Sequence, residues 1–272
     1  MHGLGNDFMI IDARESAPKL NPALIKILSN RHLGVGFDQL AIIYETVEKN
    51  VSAYVKFWNS DGSLSATCGN ATRCIARMLM NEKQLNFLSL LTDHGTLYCK
   101  NNSANIISVN MGKPGLLWTE IPLLEDCNTL HLPIDGDPIA TSMGNPHCTF
   151  FVPNINTCNI NSFGKKYETH KLFPQKTNVQ IAQVIEHGII KIKVWERGVG
   201  QTMASGSSAC AVAVAASRRG LSGEKNTIIL DGGELGIFWA DDGVWMSGET
   251  AYIYDGEISE EFLLKAERIE QK

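Results

Sequence analysis

Short apolar runs of strand length dominate this chain, interrupted by Gly, Pro, Asn and Asp. After a Gly-rich loop from His2 to Asp7, residues 8–11, 37–44, 52–58, 88–91, 96–100 and 106–111 read as strands of a first half. Residues 148–152, 179–185, 189–195, 227–230, 236–239 and 243–246 read as strands of a second, with Lys113-Pro114-Gly115 as the expected linker. Helical spacing is rarer. Asn21-Pro22 supplies a cap and a first-turn proline, and Leu24, Ile25, Ile27 and Leu28 then recur on one face. Residues 71–80, 160–170 and 208–216 are the other internal helices. From Ser208 to Ser217 there is no charge and no polar face, so that helix is expected to be covered on all sides, with sheet wrapped around it. The 71–80 helix carries Arg73 and Arg77, which must reach solvent or a partner. Ser259-Glu260-Glu261 opens a terminal amphipathic helix with Phe262, Leu263, Ala266 and Ile269 on one face, expected to pack back on the first half.

The two halves repeat one another. Cys68-Gly69-Asn70 is echoed by Ser205-Gly206-Ser207, 137 positions later (205 − 68), each ten residues after a tryptophan, Trp58 and Trp195. Leu4-Gly5-Asn6-Asp7-Phe8 matches Met143-Gly144-Asn145-Pro146-His147, and Asp38-Gln39-Leu40-Ala41 matches Thr177-Asn178-Val179-Gln180, both at a spacing of 139 (145 − 6 and 178 − 39). Met111-Gly112 parallels Ser247-Gly248. Four matches in one order at nearly constant spacing indicate a tandem duplication, with residues 1–113 as one half, 114–251 as the other, and 252–272 as a tail.

Composition narrows the class. A hydrophobic content of 44% argues against disorder. A formal charge of −5 and a pI near 5.8 leave no basic footprint for nucleic acid. No apolar run approaches membrane-spanning length and no signal pattern opens the chain, so a cytoplasmic protein is expected. Seven scattered cysteines, an odd number, read as reduced thiols, and the Cys68–Cys74 spacing does not suit a metal knuckle.

The chemistry concentrates at the two repeats. A cysteine opening a helix lies at the positive end of the dipole, which favours thiolate, and the N–H groups behind it at Gly69 and Asn70 suit a carboxylate. The second copy offers a hydroxyl at Ser205 and donors at Gly206 and Ser207. Two such groups facing across a cleft would remove a proton from one face of a carbon and return one to the other. Cys74 and Cys210, inside the helix patterns, read as small core residues. His147, in a polar turn before a strand, and Glu196, nine residues before Ser205 as Asn59 is before Cys68, are the candidates to tune the pair.

Met1-His2-Gly3-Leu4-Gly5-Asn6-Asp7-Phe8, Gly36-Phe37-Asp38-Gln39, Cys68-Gly69-Asn70-Ala71-Thr72-Arg73-Cys74, Gly144-Asn145-Pro146-His147 and Trp195-Glu196-Arg197-Gly198-Val199-Gly200 resemble the motifs of the diaminopimelate epimerase family, in order over nearly the whole chain. The resemblance implies an α/β fold of the α+β type: two pseudo-symmetric halves, each a mostly antiparallel sheet around a central helix. It implies a cofactor-independent, metal-free two-base epimerase interconverting LL- and meso-diaminopimelate for lysine and peptidoglycan precursors, with a homodimer left open. Cys68 would be one base. Asn59, Asn178, Glu196 and Arg197 would hold the distal amino-acid end of the substrate, and Asn6, Gln39 and Asn145 would line the site. Gly69-Asn70 and Gly206-Ser207 would bind the carboxylate at the reacting carbon, and His147 and Glu196 would orient or tune the catalytic pair. Two features depart from the pattern. The family has a second catalytic cysteine where this chain has Ser205, and a few residues of strand before Met1, which implies a trimmed or misplaced start. Ser205 leaves three alternatives: a working natural variant, an engineered substitution, or a different activity. The last covers a racemase or dehydratase for another amino acid, proline racemase-like, or an inactive amino-acid-binding homologue.

Overall fold

The structure, a computed structural model, describes residues 1–65, 68–103 and 105–264. It contains two compact units, Met1–Val109 with the segment from Glu249 onward, and Asn110–Gly248.

In the first unit the elements run β1 (His2–Gly3), β2 (Asn6–Asp12), α1 (Pro22–Ser29), β3 (Gln39–Tyr44), β4 (Ala53–Asn59), β5 (Leu64–Ser65), α2 (Gly69–Lys83), β6 (Phe87–Thr92), β7 (Gly95–Ser103) and β8 (Ile106–Asn110). Their sheet order is β1-β2-β3-β4-β6-β7-β8, with β5 folded back on β4. The β2–β3 and β4–β6 contacts are parallel and the others along this path antiparallel. A parallel pair needs a crossover, and α1 and α2 supply the two. Asn21 starts α1 as the sequence suggests, its Oδ1 accepting the Leu24 N–H at 2.8 Å. The face it buries carries Leu24, Ile25 and Leu28, packed on Phe37, Leu40 and Ile42.

The second unit repeats this plan with β9 (Ile139–Ser142), β10 (Pro146–Phe151), α3 (Ile160–Glu168), β11 (Asn178–Glu186), β12 (Ile189–Glu196), β13 (Gly200–Thr202), α4 (Gly206–Arg218), β14 (Lys225–Leu230), β15 (Gly233–Ala240) and β16 (Gly243–Glu249). The order is β9-β10-β11-β12-β14-β15-β16, with β13 folded on β12 and parallel contacts at β10–β11 and β12–β14. Register repeats as well. Phe8 stands opposite Gln39, and His147 opposite Asn178. The duplication inferred from residue spacing is thus also a duplication of topology.

Each central helix takes the covered position its sequence requires. Ala209 to Ala216 are all buried, and α4 packs against β9, β10, β11, β12, β14 and β15. In α2, Ala71 to Ala76, Leu79 and Met80 are buried. Of the two outcomes expected for Arg73, solvent or a partner, solvent is not the one taken, since the side chain is fully buried. It lies against Gly3, where an added Cβ would come within 3.1 Å of Nη2. Arg77 reaches the Thr250 carbonyl oxygen at 2.5 Å. Ile258, Phe262 and Leu263 pack on the α1 cluster, while Ala266 and Ile269 of the expected tail helix lie outside the described residues.

Four short strands were not legible in the pattern. β1, β5 and β13 have two or three residues, too few for a period to show. β9 offers only Ile139 and Ala140 as apolar residues and owes its place to pairing with β10. Glycine 164 on α3 marks the tightest approach in this unit. A Cβ there would sit 2.2 Å from Trp195 Cγ. Gly164→Ala should therefore lower the urea midpoint, because overpacking of about 1–3 kcal/mol outweighs the ~1 kcal/mol that alanine gains in a helix. An unchanged or raised midpoint would show that Trp195 moves aside freely.

Candidate active site

The first unit places Cys68 as the residue before α2, in extended conformation, its Sγ accepting the Ala71 N–H at 3.4 Å. The sulfur caps the helix and is half-buried. Gly69 follows with no side chain to shield the helix end, and the first N–H groups of any helix lack intrahelical partners. Asn70 is buried and its Nδ2 donates to Asn6 Oδ1 at 3.2 Å. Asn6 Nδ2 in turn donates to Asp38 Oδ2 at 3.0 Å. Arg31 clamps this corner, donating to both Asp7 carboxylate oxygens and to Asp38 Oδ1, each at 2.8 Å. Burial would raise the Asp7 carboxyl, but the Arg31 guanidinium and the Asp38 N–H outweigh it and hold it below its ordinary value. Gln39 and Asn59 are cross-strand neighbours, Gln39 Nε2 donating to Asn59 Oδ1 at 2.9 Å.

The second unit buries more of its candidate residues, among them His147, Asn178 and Ser205. Ser205 precedes α4 in the conformation of Cys68, with φ −143° against −141°, but its side chain makes no capping bond. It is buried, and Oγ donates to Ser208 Oγ at 3.0 Å. Glu196, at the end of β12, accepts from Thr202 Oγ1 at 2.6 Å and has the Ser205 hydroxyl as a second neighbour. Burial raises the Glu196 carboxyl, and these two hydroxyls only partly offset it. A carboxyl so placed is a stronger base than an exposed one and holds its proton closer to neutral pH.

His147 is fully enclosed. Gln180 Nε2 donates to its Nδ1 at 2.9 Å, and its Nε2 lies 2.8 Å from Asn145 Oδ1. Gln180 Oε1 accepts from Thr149 Oγ1 at 3.1 Å, and its Nε2 also donates to Ser208 Oγ at 3.0 Å. With the amide in this orientation, His147 carries its hydrogen on Nε2, and that N–H meets the Asn145 side chain. Desolvation, aided by the Arg197 charge, pushes the imidazole down to about 3, so it is neutral at ordinary pH. Its role in this geometry is to hold Asn145.

Asn178 accepts the Arg197 backbone N–H at 3.0 Å and donates to the Pro146 carbonyl oxygen at 2.9 Å. Arg197 Nη1 donates to the Gln175 carbonyl oxygen at 3.1 Å. Glu168, which the sequence did not single out, anchors this loop by accepting from Trp195 Nε1 at 2.7 Å and from the Gly198 N–H at 2.9 Å. Arg31, Asp7, Asp38, Gln180 and Ser208 are further supports that were not assigned from the sequence. Gln180 had a legible signal, since Asn178 and Gln180 are two polar residues two apart, on one face at the start of a strand. Within the first unit Asn6 and Asn70 meet directly, and Gln39 meets Asn59. Within the second, Ser205 meets Glu196, His147 meets Asn145, and Asn178 meets Arg197.

An internally duplicated α/β unit with a central helix in each half is a fold that solved structures share. A phenazine biosynthesis protein of the PhzF family from Bacillus anthracis superposes with a TM-score of 0.66 at 12% identity, over 95% of each chain. A hydroxyproline epimerase from Agrobacterium vitis, with bound trans-4-hydroxy-L-proline, superposes with a TM-score of 0.60 at 10% identity, over 93% of this chain and 89% of that one. These likenesses concern the fold alone. The sequence is more specific. A sequence model of diaminopimelate epimerase matches residues 1–117 and 139–253. The diaminopimelate epimerase of Acidiphilium cryptum is 42% identical over 95% of this chain and 94% of its own length, and that of Rhodospirillum centenum is 41% identical over 97% and 92%. The chain belongs to the diaminopimelate epimerase family.

Two measurements follow from the local geometry. Cys68 is half-buried at a helix N-terminus, whereas Cys74 and Cys210 are fully buried and burial pushes the Cys74 thiol up to about 12. Brief iodoacetamide treatment near neutral pH should label Cys68 before either of them, and preferential labelling of Cys74 or Cys210 in a peptide map would remove Cys68 as the reactive thiol. The second concerns His147, whose value falls from 6.5 to about 3 on folding. Below 6.5 the unfolded chain binds a proton that the folded chain refuses. Stability should then be lost between pH 6.5 and about 3, by up to about 1.4 kcal/mol per pH unit, with no such loss above that window. His147→Gln should flatten this part of the profile in urea titrations at stepped pH. An equally steep profile in the variant would assign the slope to other groups.

Proposed function

We propose that the chain interconverts LL- and meso-diaminopimelate by removing the α-proton from one face of the carbon and returning one to the other. The observation that carries the reading is the repeated pair, a thiol before α2 and a hydroxyl backed by Glu196 before α4, in a chain of this family. Cys68 is one acid–base group. Ser205 with Glu196 is the other. The helix starts at Gly69-Asn70 and Gly206-Ser207 present N–H donors suited to the α-carboxylate, and donors aimed there favour the negative charge that develops when the proton leaves. Asn59, Asn178, Glu196 and Arg197 are assigned to the distal amino-acid end, and Asn6, Gln39 and Asn145 to lining the site. The reading draws on side chains alone, without metal or cofactor, and places the enzyme in the cytoplasm, serving lysine and peptidoglycan precursor synthesis. Among the described residues no helix is long and apolar enough to cross a membrane.

The two acid–base groups are unequal. A thiol titrates near 8.5 and is readily lowered, whereas an alkyl hydroxyl is a poor base unless a neighbour takes its proton. Exchange of the α-proton with solvent deuterium should therefore be faster from the stereoisomer whose proton faces Cys68 than from the other. Ser205→Cys should raise the epimerisation rate by about 10²–10⁴, the range of a good general acid–base. If Ser205→Cys and Ser205→Ala both match the unaltered chain, Ser205 takes no part and the two-base reading fails. Exchange from neither isomer, with binding retained, would favour an inactive amino-acid-binding homologue. Exchange from proline or another amino acid instead would favour a racemase of different substrate.

A further inference from the structure

The hydroxyl before α4 differs from the thiol before α2 in its surroundings as well as in its chemistry. Cys68 Sγ is occupied as a cap by the Ala71 N–H. Ser205 makes no capping bond and turns instead to the side chain at the same offset, three residues on, which is Ser208 where α2 has Ala71. Ser208 is fully buried, 3.0 Å from Ser205 Oγ and 3.0 Å from Gln180 Nε2. In the orientation the structure records, Gln180 Oε1 accepts from Thr149, and its two amide hydrogens go to His147 Nδ1 and Ser208 Oγ. Ser208 Oγ receives one N–H in this arrangement. That leaves one lone pair and its own hydrogen, and among the described residues both have only Ser205 Oγ to meet. Ser205 has a second neighbour, the Glu196 carboxylate, which competes with Ser208 as acceptor for its single hydroxyl hydrogen.

We propose that Ser208 is a positioning residue for Ser205: it accepts the Ser205 hydrogen in the resting site and turns its own hydrogen onto Ser205 Oγ when that proton moves to Glu196. This rests on the reading of Ser205 as the second acid–base group. In the abstraction direction the substrate C–H bond breaks, its electron pair stays on carbon, and an O–H bond forms at Ser205 Oγ. The former Ser205 O–H bond breaks and its proton forms an O–H bond with Glu196. The return direction reverses each transfer. No oxidant or other reactant enters, and Ser205 is never required to persist as a free alkoxide. The Ser208 hydrogen bond acts on the oxygen while negative charge passes through it, where a charge-assisted bond is strongest. A thiol needs this help less, because its anion is far more stable in its own right. The hydroxyl motif therefore has a hydroxyl at the third place and the thiol motif a methyl.

The first test needs no substrate. In the full chain, the carboxyl carbon of Glu196 is titrated by carbon-13 NMR. Ser208→Ala removes the competing acceptor, so the Ser205 hydroxyl donates to Glu196 alone and the Glu196 midpoint falls. Ser205→Ala removes that donor and the midpoint rises. Ala71 occupies the matching place in α2, so alanine suits the helix; should Ser208→Ala fail to fold, Ser208→Gly carries the same readouts. The second test is α-proton exchange with solvent deuterium from each diaminopimelate stereoisomer. Ser208→Ala should slow the more slowly exchanging isomer roughly tenfold or more, the loss of one hydrogen bond to developing charge, and leave the faster one nearly unchanged. In a Ser205→Cys background the effect of Ser208→Ala should shrink to about threefold or less. A Glu196 midpoint unmoved by Ser208→Ala, or equal slowing of both isomers, overturns the proposal. A midpoint that moves as expected in a chain that exchanges neither isomer leaves the Ser208–Ser205–Glu196 coupling standing and removes the epimerase reading.

Discussion

A helix built from Ala, Val and Cys between Ala209 and Ala216 has no face to offer water, so it is stable only where sheet covers it around its whole circumference. The second unit satisfies that demand with six strands, and the consequence is functional. A helix enclosed on its sides has its ends as the remaining points of access. The residue before its N-terminus is then held by a rigid element, in extended conformation, beside N–H groups with no intrahelical partner. Ser205 occupies that place in α4 and Cys68 its counterpart in α2. The site chemistry is an outcome of where two buried helices begin.

Duplication preserved the backbone and let the supports diverge. Asn6 and Asn145 come from the same place in the repeat, and each has its amide held by a neighbour. In the first unit the holder is the carboxylate of Asp38, itself fixed by the exposed Arg31 clamp. In the second it is a buried neutral imidazole, fixed by Gln180 and Thr149. A charged clamp at the surface is screened and tolerates variation. A buried neutral network depends on every member being satisfied and on one hydrogen-bond polarity. The second unit is thus the more demanding of the two, and in the proposed mechanism it is also the one that makes a hydroxyl work as an acid–base group.

The residues proposed to recognise an amino-acid zwitterion are held in the same economical way. Arg197 is placed through its backbone, by Asn178, and the loop that carries it is tied at Trp195 and Gly198 to the single carboxylate of Glu168. Burial works against the Glu168 charge, but the indole and backbone N–H groups outweigh it and keep the carboxyl below its ordinary range. Gly164 lets α3 approach Trp195 closely enough for this contact. A helix packed on β11, β12 and β13 therefore sets the position of the loop that follows β12.

The sequence by itself determined the duplication, the two central helices and the positions of Cys68 and Ser205 before them. These features are local: residue spacing, a run of small apolar side chains, a Gly after a nucleophile. It also carried the family resemblance, since the motifs stand in order along the chain. Only the tertiary structure decided that Arg73 is buried, that β9 pairs with β10, and that Glu168, 28 residues before Glu196 in the chain, anchors the loop that follows it (196 − 168). It alone enclosed His147 and joined Ser208 through Gln180 to that imidazole. Periodicity reports which side of an element a residue faces. Hydrogen-bond direction and desolvation depend on which distant side chain arrives opposite it, and that is settled when the sheets close around their helices.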